Sequence, residues 1–470
     1  MGIHEQFFNI ETKSCKKYGE KTILFMQCGS FFETYGYKKN GKFRNKYYTE
    51  YSNVCNFCMK EKSLKYEGYD VWMIGFPDYC LDKYVTKLTS EGFTVVVWVQ
   101  SDDKIRYEKC VCSPGTDFNI NTQNITNYSM CMWIKKTQSV LLNKNAEIIC
   151  GMSCIDILTG DTHIFEYREK YFHNPTTFDE IERFYSSYNP KEILVIYETT
   201  DSEIRDILQF SQIECEKIHL INIKDDENPH QSAVKNCENQ VYIKEQLMQF
   251  YDILEYNIFC QSHRLDEHQL TTQAFCFHLN FIHGCNPSLV EKIKPPLFDN
   301  TGNRLILANH SLKQLNMINN QQHRGNLSSV SKFINKCATP MGKRKLHNML
   351  IKPTSNITEL KKQYDIVEYV LTNYDSFADI RKQLGEISDI ERLYRKMVLQ
   401  RVAPAELSQF HNNLKIILEI SNTLKSNDTV TVYINRPFLS KNCCELIKIL
   451  DDKLILSESA KISSTRFDVN

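Results

Sequence analysis

The chain of 470 residues is 42% hydrophobic and 24% charged, enough for two to four domains that each bury a core and too apolar for wholesale disorder. Lys plus Arg and Asp plus Glu number 57 each, so no global field draws the chain to nucleic acid or membrane, and any anion-binding surface must be local. The strongest apolar run, Val95 to Val99, is far short of the roughly 20 residues of a membrane span, and "MGIHEQFF" lacks the form of a signal peptide. Gln6 stands where a myristoylation signal needs Ser or Thr, so an intracellular, reducing location is expected. The 18 cysteines then read mostly as small core residues.

Three regions follow in chain order. Residues 1–120 mix helix and strand patterns. "LDKYVTKLTSEGFTVVVWVQ" predicts a helix with Leu81, Tyr84, Val85 and Leu88 on one face, a Glu-Gly stop and a buried strand. "SPGTDFN" is a turn cluster, and the polar stretch after it is expected to be a linker. Residues 125–236 read as α/β: a hairpin around Thr159-Gly160-Asp161, then the helix "DEIERFYSSYN" closed by Pro190, the strand "EILVIYE", the helix "DSEIRDILQF" and the strand "KIHLINI". Residues 241–470 read as helical, with apolar stripes at Leu247, Phe250, Tyr251, Leu254 and at Leu360, Tyr364, Val367, Leu371. Asn356 with Glu359 is a helix start. The expected class is multidomain α/β plus all-α.

The stretch "CGSFFETYGY" carries the most chemistry. Residues two apart on a strand share a face, so Phe31 and Glu33 would point one way and Phe32 the other. A Phe ring can wedge between base pairs from the minor groove, and a nearby carboxylate makes sense if aimed at a base N–H. Taken alone, the stretch also reads as a core strand ending in a solvated glutamate. Just downstream, Lys38, Lys39, Lys42, Arg44 and Lys46 form a basic, tyrosine-laced run with no acid among them, a candidate for phosphate contact or simply a solvated loop.

"ILFMQCGSFFETYGY" resembles the start of the mismatch-recognition domain of the MutS family, with Gly29, Ser30, Phe31, Phe32 and Glu33 in the places of its Gly, polar, Phe, aromatic, Glu pattern. Gly75-Phe76-Pro77 is similar to the family's Gly-Ile-Pro loop, and Ser113 to Thr116 to its Thr-Pro-Gly-Thr domain end. "CIDILTGD" resembles a strand of the connector domain. Thr339-Pro340-Met341-Gly342, then "DIERLYRKMVLQRVAPAEL", resemble blocks of the helical core. Ser30 departs from a usual Asp, Gln27 from a base, and Asp78-Tyr79 from Tyr-His.

The resemblance implies a mixed α/β mismatch-recognition domain, a ribonuclease-H-like connector and an incomplete helical core and lever domain, the last residues "KISSTRFDVN" lying in the lever helix. It implies Phe31 and Glu33 as mismatch-binding residues, backbone contacts near Gly75 and Pro77, and double-stranded DNA with mismatches or small loops as partner. A second MutS-like or identical subunit and a MutL-like protein are further implied partners. The family's ATP and Mg²⁺ belong to a domain further along, and neither Gly41-Lys42 nor Gly342-Lys343 continues as a P-loop, so no catalytic residue and no cofactor are expected here. Two alternatives stand beside this reading. One is a MutS-like scaffold for branched DNA or proteins. The other is a metal-dependent nuclease built on Asp156, Asp161 and Glu192. Zinc held by Cys55, Cys58, Cys110 and Cys112 matches no common spacing.

Overall fold

A computed structural model describes residues 2–101, 103–118, 126–137, 146–299, 305, 309–317, 325, 327–425, 427–434 and 436–463. The expected linker after Phe118 lies, through residue 125, outside the described residues. The chain divides into two compact units, 1–299 and 300–470.

The first unit holds two sheets. The first is built from β1 (Thr22–Cys28), β2 (Phe31–Lys39), β3 (Lys42–Phe43), β4 (Lys60–Tyr66), β5 (Tyr69–Pro77), β6 (Thr94–Gln100) and β7 (Arg106–Cys112), in the order β4-β5-β2-β1-β6-β7, with β3 paired to β2. β1 and β6 are parallel, and the other neighbours are antiparallel. Helices α2 (Tyr48–Cys55) and α3 (Leu81–Thr89) cover one face, burying Ile23, Phe25, Phe32, Ile74, Val95 and Val97. Rings dominate there: Phe76 lies within 6.0 Å of Phe32, 4.9 Å of Phe25, 5.4 Å of Phe57 and 4.8 Å of Tyr84. Each such pair adds about 0.5–1.5 kcal/mol beyond the area it buries. Helix α1 (Ile3–Tyr18) packs on the opposite face through Phe7 and Phe8, whose rings meet Tyr35 and Tyr37 edge-on.

The second sheet comprises β8 (Tyr128–Thr137), β9 (Glu147–Asp156), β10 (Thr162–Lys170), β11 (Glu192–Tyr197), β12 (Lys217–Asn222) and β13 (Leu297–Phe298), in the order β12-β11-β8-β9-β10-β13. The expected hairpin joins β9 to β10, and the expected helices α4 (Asp179–Tyr188) and α5 (Asp201–Phe210) pack on one face over Met130, Met152, Ile193 and Val195. Continuous burial of β11 on both faces follows from its parallel pairing with β8 and β12.

Helices α6 (Gln231–Asn236), α7 (Gln240–Tyr251), α8 (Tyr256–Ser262) and α9 (Gln269–Cys285) complete this unit. The sequence pattern assigns everything after 241 to one helical domain, yet α9 lies on the second face of the second sheet. Gly151 is the reason. A Cβ there would stand 2.4 Å from the backbone of Leu270 and Thr271, so only glycine lets the helix come this close. His278 of α9, fully buried, then bridges Ser129 and Ser153, each 3.0 Å away, and burial depresses its imidazole to about 3, keeping it neutral. The expected stripe on α7 also stops early: the helix ends at Tyr251 and Leu254 is 97% exposed.

The second unit is helical. Its helix Pro340–Ile351 starts where Thr339 Oγ1 accepts from the Gly342 amide at 3.0 Å, with Pro340 in the first turn. Arg344, on that helix, grips Asp389 with two bonds of 2.7 Å and also reaches Glu391, so the two sequence blocks that resemble the core signature meet through one guanidinium. Asn356 caps the helix Ile357–Thr372 as expected, but its stripe is not buried: Tyr364 and Leu371 are each 66% exposed. Lys461 to Ser463, expected in a helix, are not helical, and 464–470 lie outside the described residues. Among the described residues no helix is long and apolar enough to cross a membrane.

Candidate nucleic-acid interface

β1 and β2 are joined by a two-residue turn, Gly29-Ser30, which sets Cys28 opposite Phe31, Gln27 opposite Phe32 and Met26 opposite Glu33. On the other side β5 places Pro77 opposite Phe31 and Gly75 opposite Glu33. Gly75 to Pro77 are thus the end of a strand rather than a loop, and a short 3₁₀ turn, Asp78–Cys80, leads on into α3. The alternation of β2 separates the two phenylalanines. Phe31 is 49% exposed at the free end of the sheet, while Phe32 is 2% exposed and stacks on Phe76.

Glu33, half-buried, lies on the Phe31 face. Its Oε2 accepts a hydrogen bond from the Tyr35 hydroxyl, and Cys28, opposite Phe31, stands on the same face. Burial first, then the bond to Glu33, push the Tyr35 phenol far above its ordinary range, so it stays a donor. Burial and the Glu33 charge likewise raise the Cys28 thiol, against a smaller opposing pull from Arg106.

Arg106 is a residue the sequence reading did not single out. It opens β7, and its Nε donates to the Gln27 carbonyl at 3.3 Å. Gln27 itself fastens this end of the sheet, accepting from the Gln100 amide and donating to the Gly29 carbonyl, both at 3.1 Å. Tyr79, noted only as a departure from the family pattern, is 79% exposed just beyond Pro77. The signal for Arg106 was the polar run after Gln100, a turn that returns the chain beside β6.

The basic run stands elsewhere. Lys38 and Lys39 end β2, roughly 25 Å along the strand from Phe31 at about 3.3 Å per residue. Asn40 and Gly41, at φ 52° and 77°, form the tight turn into β3. Lys38 Nζ lies 4.2 Å from the Trp72 ring centroid, Arg44 donates to Thr12 Oγ1 at 2.9 Å, and Lys46 pairs with Glu20. Lys39, Lys42, Arg44 and Lys46 are exposed, but the structure does not bring the run together with Phe31 and Glu33.

The acids weighed for metal-dependent hydrolysis do not converge. Tyr128 pairs with Asp156 and the next residue, Ser129, with Glu192, so the two carboxylates leave opposite faces of the sheet, with β8 between them. Asp156 is fully buried, accepting from the Asn127 and Leu158 amides and the Thr159 hydroxyl, and burial raises its carboxyl to about 6. Asp161 pairs with Lys294 at 2.6 Å. Burial pushes Glu192 up, but bonds to His219 (2.7 Å) and Ser113 outweigh it and hold the carboxyl below its usual range. Cys55 is buried, Cys58 is exposed, and the sulfurs of Cys110 and Cys112 lie 4.0 Å apart. Among the described residues no group of three or more His, Cys, Asp or Glu side chains could hold a metal ion. Neither Gly-Lys pair fits a triphosphate: Gly41 is in the β2–β3 turn, and the Gly342 amide is already taken by Thr339.

The fold and this edge define a mixed α/β and helical protein with an exposed aromatic and a held carboxylate on one strand. The chain belongs to the MutS family: the family models described as MutS domain I and MutS domain III match residues 4–121 and 310–467. It is 28% identical over 452 residues to a DNA mismatch repair protein mutS homolog of Acanthamoeba polyphaga mimivirus, covering 91% of this chain and 40% of that protein. It is 24% identical over 430 residues to the DNA mismatch repair protein MutS of Fusobacterium nucleatum (89% and 43%) and 25% identical over 404 residues to that of Chlamydia trachomatis (85% and 46%). The chain spans less than half the length of these curated relatives.

Proposed function

We propose that this chain takes part in DNA mismatch repair by reading mispaired or unpaired bases in duplex DNA. In this reading residues 1–120 are the mismatch-recognition domain, 125–236 a ribonuclease-H-like connector continued by α9, and the helical unit the core. Phe31 wedges beside the lesion from the minor groove and Glu33 accepts from, or shares a proton with, the displaced base. A mispaired step is already partly unstacked, so the wedge costs less there than in matched duplex, and the protein reads deformability rather than sequence. The observation that carries the reading is the shared face of Phe31 and Glu33 at the free end of the sheet, one ring half exposed and one carboxylate held in place. The names of the relatives support it.

Arg106, bonded to the Gln27 carbonyl, stands beside the wedge edge and Tyr79 is a second exposed ring, so phosphate and sugar contacts there fall to them and to the Gly75–Pro77 backbone. Lys39 and Lys42 would meet only flanking DNA. Pairing with an identical or MutS-like subunit, and a MutL-like downstream partner, go with this reading. ATP and Mg²⁺ are proposed for no residue of this chain.

The test compares the 470-residue chain with Phe31→Ala on matched and G·T-mismatched duplexes at two salt concentrations. The wild type is expected to prefer the mismatch and the variant to lose that preference. Equal binding of both duplexes by both proteins would refute the wedge.

A further inference from the structure

We infer that Tyr35 is a positioning residue that locks the Glu33 carboxylate in the orientation from which it meets a base. The inference rests on the reading of Phe31 and Glu33 given above.

Two side chains on one face carry it. Glu33 and Tyr35 are two apart on β2. The Tyr35 hydroxyl donates to Glu33 Oε2. The Tyr35 ring is itself fixed, buried and packed edge-on against Phe7 at 5.1 Å, so the hydroxyl is presented by the core and not by a mobile side chain. Opposite Glu33 stands Gly75, whose missing side chain leaves that flank of the carboxylate uncovered: a Cβ there would lie 3.7 Å from Glu33 Cγ.

A free glutamate samples several rotamers and points mostly to water. A carboxylate offers about four acceptor positions, so the one donor from below still leaves capacity for a base N–H. Holding the group in advance removes an ordering cost that would otherwise fall on the encounter with DNA. An unheld Glu33 would also repel phosphates from more positions, which weakens the contrast between mismatched and matched duplex.

The test is a cycle of Tyr35→Phe, Glu33→Gln and the double variant in the full chain, each titrated with matched and G·T-mismatched duplex, with Phe31→Ala alongside. Tyr35→Phe keeps the ring on Phe7 and deletes one hydroxyl. Losing one hydrogen bond to a charged group is expected to lower the mismatch preference about tenfold, with matched-duplex affinity little changed. In the Glu33→Gln background the same change is expected to do almost nothing, a coupling that a purely structural role for the ring would not produce. If Tyr35→Phe discriminates like wild type while Phe31→Ala does not discriminate, the lock is wrong and the wedge stands. If the Tyr35 and Glu33 effects simply multiply, Tyr35 acts elsewhere and the lock is again wrong. A wild type without mismatch preference defeats the lock together with the reading beneath it.

Discussion

The two ends of β2 are both polar and aromatic in sequence and quite different in structure. At its first end a ring stands half exposed, and an acid is held by a neighbour on its own face. At its last end five basic residues look like a phosphate track, yet Lys46 is paired with Glu20, Arg44 is bonded to Thr12, and Lys38 lies over Trp72. A charge run gives the sign of a surface but not its availability, because residues distant in sequence can occupy the same charges. An exposed aromatic beside a buried twin is the more telling feature, since nothing in the fold itself requires it.

The largest expected effect separates the adjacent phenylalanines. Phe32→Ala should cost about 3–5 kcal/mol in denaturant unfolding, as deleting a fully packed ring usually does, whereas Phe31→Ala should stay within about 0.5 kcal/mol. Equal costs would mean that Phe31 belongs to the core and that the contrast between the ends is false.

The next prediction probes the basic end from beneath. Glu11 of α1 is buried, bonded to Asn45 at 3.0 Å, and raised from 4.5 to about 7 by burial, against the pull of Asn45 and Arg44. The folded chain therefore keeps a proton that the unfolded chain releases between these values, and stability falls as pH rises through that window. Glu11→Gln should gain up to about 3 kcal/mol near pH 8, with the gain vanishing near pH 4, in paired thermal or urea unfolding series. A gain independent of pH would show that the carboxylate is not what the window reports.

The smallest effect sharpens the comparison itself. Arg106→Ala should flatten the salt dependence of DNA binding by about one unit of slope, and Lys42→Ala should flatten it less. The reverse result would return the phosphate track to the basic hairpin.

Much of this was legible. Period-two alternation assigned Phe31 and Glu33 to one face and Phe32 to the other, because strand geometry is local. The turn at Thr159 to Asp161 and the helices and strands after it were equally local. Arg106 was not legible, since it reaches the edge only because β6 pairs in parallel with β1, a contact between segments some seventy residues apart. The pattern of α9 showed a helix but not its body, which is decided by the space left at Gly151. Periodicity at Leu360, Tyr364, Val367 and Leu371 announced an apolar face without saying whether anything covers it.

The anchoring of Ser113 and Gly115 on Glu192 has a mechanical consequence. β7 runs from Arg106 at the wedge edge to Cys112, and the next residues are fastened to the second sheet by the Gly115 amide, at 3.1 Å, and the Ser113 hydroxyl. A Cβ at Gly115 would stand 2.6 Å from the Glu192 Cβ, so the joint has no slack. The end of β7 is therefore clamped to β11, so the strand that carries Arg106 is tied at its other end to the second sheet.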